Sequence, residues 1–171
     1  GVRDPFIAYN PESKTYYVLA TDLRVCGGDN AGWGTWATGY STKLHVWSSK
    51  DLIHFNDMTE LETATADKYT ANPNKSQTLT DSVTGKTISE IGMAWAPEAT
   101  WVPNFYDLND DGQLNGSDKD NPKNQQGGAF VVYWSVSAKY DGENSQPGKK
   151  VTHVLWAATK DFPNETYMFG G

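Results

Sequence analysis

Phe6-Ile7-Ala8-Tyr9 runs into Asn10-Pro11-Glu12-Ser13 and leaves as Thr15-Tyr16-Tyr17-Val18-Leu19-Ala20-Thr21. Two runs rich in aromatic and β-branched residues flank a cluster of turn formers, in which Asn can bond to its own following backbone and Pro presets φ. The pattern predicts a β-hairpin. A third run, Lys43-Leu44-His45-Val46-Trp47-Ser48-Ser49, precedes Lys50-Asp51-Leu52-Ile53-His54-Phe55. The same grammar then restarts with Ala99-Thr100-Trp101-Val102-Pro103, Ala129-Phe130-Val131-Val132-Tyr133-Trp134-Ser135 and Val151-Thr152-His153-Val154-Leu155-Trp156-Ala157-Ala158. Lys160-Asp161-Phe162 closes this round as Lys50-Asp51-Leu52 closes the first.

Helical periodicity is hard to find, so the fold class read from the chain is all-β. A repeated unit of about four antiparallel strands is the blade of a β-propeller. Residues 1–92 are expected to form one blade with inserted loops and residues 93–171 a second. The insertions are expected at 22–42, rich in Gly, Trp and Thr, at 59–92, a polar tract, and at 107–128, dominated by Asp, Asn, Gly and Gln. Long loops of this kind usually carry function. A closed propeller needs about four blades or more. The chain is therefore expected to belong to a larger molecule or to use another copy to cover its sheet faces.

The 171 residues carry 14 Lys+Arg against 21 Asp+Glu, a net charge of -7. That balance argues against sequence-independent nucleic-acid binding, which needs a basic face to displace counterions, and against binding an anionic membrane surface. No apolar run approaches the ~20 residues of a membrane span. The chain opens at Gly1-Val2-Arg3-Asp4, without an initiator Met or a signal segment, as a processed or excised piece would. Cys26 is the single cysteine, which excludes an intrachain disulfide and a thiolate metal cluster. His45, His54 and His153 lack paired ligand spacing, so a zinc centre has no support. Seven Trp and nine Tyr are numerous for so polar a chain. Their flat faces suit sugar rings, although aromatic residues also favour strands.

Arg3-Asp4-Pro5-Phe6 puts a carboxylate just before a Pro-started strand, where the innermost strand of a blade meets the central channel. Pro5 predicts an extended backbone at Asp4. Trp95-Ala96-Pro97-Glu98-Ala99 repeats the device with the acid after the proline. Two channel-facing carboxylates from adjacent blades are what glycoside hydrolysis requires, one to activate water and one to set or supply a proton, separated by about 6.5–9.5 Å in an inverting enzyme. Arg3 could hold Asp4 ionised or be an ordinary surface residue. Trp33, Trp36 and Tyr40, in the first insertion, could stack on a sugar or cap the edge of the sheet; Trp95 is a further substrate-binding candidate.

Taken together, Arg3-Asp4-Pro5-Phe6-Ile7, Tyr16-Tyr17-Val18-Leu19-Ala20-Thr21, Val46-Trp47-Ser48-Ser49-Lys50-Asp51-Leu52 and Trp95-Ala96-Pro97-Glu98-Ala99 resemble glycoside hydrolase family 43 and its five-bladed propeller relatives. Val132-Tyr133-Trp134-Ser135 and Ala158-Thr159-Lys160-Asp161-Phe162 extend the match. The resemblance implies that Asp4 is the general base and that Glu98 stands where the family has a carboxylate that tunes and orients the acid. That family residue is usually Asp, so Glu98 departs by one methylene, and its acting as proton donor stays open. The resemblance further implies that the proton donor is a Glu on a third blade, which this chain does not reach. The implied substrate is a plant polysaccharide with arabinofuranosyl or xylosyl linkages, and the implied reaction is single displacement.

Asp107-Leu108-Asn109-Asp110-Asp111-Gly112-Gln113-Leu114-Asn115-Gly116-Ser117-Asp118 places oxygen side chains at positions 1, 3, 5, 9 and 12 of a calcium loop, with Gly112 at the sharp turn. It resembles EF-hand loops, and dockerin loops more closely. Asp107, Asn109, Asp111, Gln113, Asn115 and Asp118 are the candidate Ca2+ ligands, in a site that staples an insertion. A polymeric substrate and a modest calcium site both suit a secreted or cell-surface bacterial protein. The alternative reading is a non-catalytic carbohydrate-binding propeller, or a scaffold segment whose calcium loop serves assembly.

Overall fold

The computed structural model describes residues 1–24, 41–63, 80–81, 83–105, 127–143, 152–162 and 165–170. All regular structure among them is strand: β1 (Val2–Asn10), β2 (Thr15–Asp22), β3 (Lys43–Ser49), β4 (Thr59–Glu62), β5 (Ile88–Ile91), β6 (Trp95–Val102), β7 (Ala129–Tyr140), β8 (Thr152–Asp161) and β9 (Glu165–Gly170). The fold is all-β and every strand pairing is antiparallel.

The first sheet is a meander in the order β1-β2-β3-β4. Its first hairpin forms where the turn residues predict it. Asn10 Oδ1 accepts the backbone N–H groups of Glu12 and Ser13, at 2.9 and 3.0 Å. Lys50 Nζ crosses to the same turn and donates to the Ser13 carbonyl at 2.6 Å and to Thr15 Oγ1 at 2.7 Å. In the second sheet β6, β7, β8 and β9 pair in succession. Strand β7, at 12 residues, is long enough for its other edge to be shared by β6 and β5. Two consecutive antiparallel sheets of this kind are consistent with part of a β-propeller.

Among its described residues, the 59–92 tract carries more regular structure than its polar composition predicts. It contains β4, with Leu61 buried, and β5, with Ile88 and Ile91 buried. Strands of four residues offer too few alternations for a period to show in sequence.

Among the described residues the largest core cluster lies between the sheets. Tyr17, Leu19, Leu44, Val46 and Leu61 of the first sheet meet Phe130, Val132, Trp134, Val136 and Leu155 of the second. Strand alternation selects these sets, because every second side chain turns to the same face. Tyr17 meets the Phe130 ring edge-on, with centroids 5.6 Å apart and an interplanar angle of 83°. Such a pair adds about 0.5–1.5 kcal/mol beyond its area burial.

Polar contacts tie the sheets at the turn end. Asn10 Nδ2 donates to the Lys160 carbonyl at 3.2 Å, and Glu12 Oε1 accepts the Gly128 N–H at 2.8 Å. The preceding Gly127 permits this approach, since a Cβ there would lie 2.6 Å from Glu12 Oε1. The outward face of the first sheet exposes Val2, Ile7, Tyr9 and Phe55. A cavity of about 370 Å³ opens there among Val2, Val18, Trp47 and Phe55.

Candidate active site

The proline-marked strands β1 and β6 are bulged at corresponding places. In the β1/β2 ladder the register shifts between Arg3 and Phe6, and in the β6/β7 ladder between Trp95 and Glu98. The extended backbone that Pro5 predicts for Asp4 does not form: its φ is 47°, and that of Ala96, which precedes Pro97, is 51°. A bulge releases its extra residue from the ladder and re-aims it, and Asp is among the non-glycine residues that best tolerate positive φ.

Thr21 joins the two bulges. Its hydroxyl donates to Asp4 Oδ2 at 3.1 Å and accepts the Ala96 N–H at 2.8 Å. Asp4 itself is exposed, as is Arg3, which sits opposite Thr21 in the ladder. Glu98 is exposed on the face of the second sheet turned away from the core, opposite Tyr133. The Tyr133 hydroxyl donates to Glu98 Oε2 at 2.6 Å. This bond, then burial, then the nearby negative charge push the Tyr133 phenol above the ordinary tyrosine value. Trp95 is half-buried and packs against Leu23 and Met93.

Asp4 is thus tied through Thr21 to the β6 bulge that lies between Trp95 and Glu98. Trp33, Trp36, Tyr40 and the calcium loop, with Asp107, Asn109, Asp111, Gln113, Asn115 and Asp118, lie outside the described residues. The histidines have local partners: His54 Nδ1 is 2.7 Å from Asp51 Oδ2, His45 Nε2 is 3.1 Å from Asp22 Oδ1, and His153 Nε2 is 3.1 Å from the Tyr140 hydroxyl.

Thr21 and Tyr133 are the site residues that motif reading passes over. Thr21 had a signal, since it continues the core-facing alternation of Tyr17 and Leu19 and so places a hydroxyl where an apolar side chain belongs. Tyr133 had only its parity, on the opposite face from Val132 and Trp134.

Residues 1–169 match the sequence model of a family related to glycoside hydrolase family 43, described as a probable glycosyl hydrolase domain. The chain belongs to that family. It is also similar to an alpha-L-arabinofuranosidase of Bifidobacterium longum subsp. longum, 29% identical over 175 residues. That alignment covers 97% of this chain and 12% of the relative, so the chain spans about an eighth of that protein. No helix among the described residues is long and apolar enough to cross a membrane.

Proposed function

We propose that this chain supplies two blades and part of the active site of an inverting glycosidase that cleaves arabinofuranosyl or xylosyl linkages in plant polysaccharide. The observation that carries the reading is the Asp4–Thr21–Ala96 chain of hydrogen bonds, which holds an exposed carboxylate against the bulge that bears Glu98. Asp4 acts as the general base: it takes a proton from the water that attacks the anomeric carbon while the glycosidic bond breaks on the opposite side. Glu98, with one oxygen held by Tyr133, orients and tunes the acid that protonates the leaving oxygen. That acid comes from a further blade, and this segment by itself is inactive. The apolar face with Val2, Ile7 and Phe55 supports the idea that further blades pack there.

In the same reading residues 107–118 bind Ca2+ and the protein works outside the cell or on its surface. The oxygen spacing around Gly112 supports the ion. The test is Asp4→Asn in the full-length protein, assayed on aryl α-L-arabinofuranosides and aryl β-xylosides. Turnover should fall by roughly two orders of magnitude or more. Unchanged turnover removes Asp4 from the mechanism; sugar binding with no turnover in the unaltered protein favours a non-catalytic carbohydrate-binding propeller.

A further inference from the structure

We infer that Thr21 is the positioning residue of the general base, and that it couples Asp4 to the β6 bulge through a single oxygen atom. The inference rests on the assignment of Asp4 as base. Thr21 is fully buried, so its hydroxyl must find partners within the protein. A hydroxyl carries one hydrogen and two lone pairs. The Ala96 N–H takes a lone pair at 2.8 Å. The hydrogen is then directed to Asp4 Oδ2 at 3.1 Å, because an ionised carboxylate can only accept. The polarity of the chain is thus set from Ala96 to Thr21 to Asp4.

Both ends of this relay depend on the bulges. Ala96 falls between Trp95 and Glu98, where the ladder register shifts, and its backbone is left free to point its N–H across to β2. Asp4 falls in the corresponding irregularity of β1. Thr is β-branched and stiff about χ1, so its hydroxyl direction is held by the backbone of a central strand rather than by a mobile side chain. With Oδ2 committed to Thr21, the proton from water goes to Oδ1. Because Thr21 Oγ1 also holds the start of β6, a displacement of the bulge between Trp95 and Glu98 is transmitted to the base.

The test uses Thr21→Val, Thr21→Ser and Thr21→Cys in the full-length protein, with kcat and KM measured on an aryl α-L-arabinofuranoside and melting followed in parallel. Thr21→Val keeps the shape and removes the hydroxyl; kcat should fall roughly tenfold to a hundredfold, the cost of a base held slightly out of place, with KM changed by less than about twofold. Thr21→Ser should restore most of kcat, and Thr21→Cys, a weak donor of similar size, should lie between. In an Asp4→Asn background, Thr21→Val should lower the residual rate no further. A folded Thr21→Val protein with unaltered kcat overturns the inference, as does a Ser variant as slow as the Val variant. Should Thr21→Val not fold, the Ser and Cys variants decide by the same ordering. Full activity in Asp4→Asn defeats the base assignment itself, and the two failures are thereby distinguished.

Discussion

Asp4 and Ala96 hold the same place in two bulged strands. Each precedes a proline, each has a positive φ, 47° and 51°, and each is bonded to the hydroxyl of Thr21. The chain thus uses one backbone device twice, once to present a carboxylate and once to present an N–H. Non-glycine residues persist at such angles only where their surroundings over-determine them.

The strain at Ala96 predicts how the site responds to substitution. Ala96→Gly keeps the N–H and relieves a left-handed backbone worth about 1–2 kcal/mol, so the protein should melt at the same or a slightly higher temperature. Ala96→Val puts a β-branched side chain at φ 51° and should lose about 1–3 kcal/mol in urea unfolding. Equal stability of the Gly and Val variants would show that the positive φ carries no cost.

Tyr133 and Glu98 make a second prediction. The hydrogen bond to Glu98 is the largest cause of the raised phenol pKa. In spectrophotometric titration Tyr133 should ionise above the ordinary tyrosine value of about 10, and Glu98→Ala should bring it back toward that value. Tyr133→Phe should lower kcat while leaving the melting temperature nearly unchanged, since the pair is exposed.

Part of the acid sensitivity should trace to Asp81. Its Oδ1 accepts the N–H groups of Val83 and Thr84 at 2.8 and 3.2 Å, and its Oδ2 accepts the hydroxyls of Thr84, at 2.7 Å, and Tyr140. The Tyr140 hydroxyl is the largest of the causes that hold this carboxyl well below the usual range. A depressed folded value contributes stability that is complete above the unfolded value of about 3.9 and is lost as pH falls through the folded one. Asp81→Asn should melt lower at neutral pH and show a flatter dependence of melting temperature below about pH 4. The Tyr140 phenol is pushed up by the same bond, so its contribution holds below about pH 10 and fades above it.

Calcium should be detectable by calorimetry. Titration into chelated protein should show one site, lost on replacing Asp107 and Asp111 with Ala. An absence of heat in the unaltered protein ends the calcium proposal.

Much of the candidate site could be proposed from sequence because its markers are local. Asp4-Pro5 and Pro97-Glu98 stand out as acids beside prolines at strand starts, and the runs from Phe6 to Thr21 announce a hairpin. The short strands β4 and β5 escaped notice: Thr59–Glu62 is polar at three of its four positions, and its order comes from pairing with β3. Thr21 reads as the tail of a strand until Ala96, 75 positions away, is seen to donate to it.

By itself the amino-acid order determined what repeats every two residues or lies within a single turn: the strands, the hairpin and the paired acid-proline motifs. Tertiary structure alone decided that two prolines far apart mark equivalent bulges, that both adopt a left-handed turn before the proline, and that one buried hydroxyl spans them. The physical reason is range. Alternation and turn chemistry act between neighbours in the chain, whereas the direction of a bulged N–H and the partner of a buried hydroxyl depend on which strands the core brings side by side.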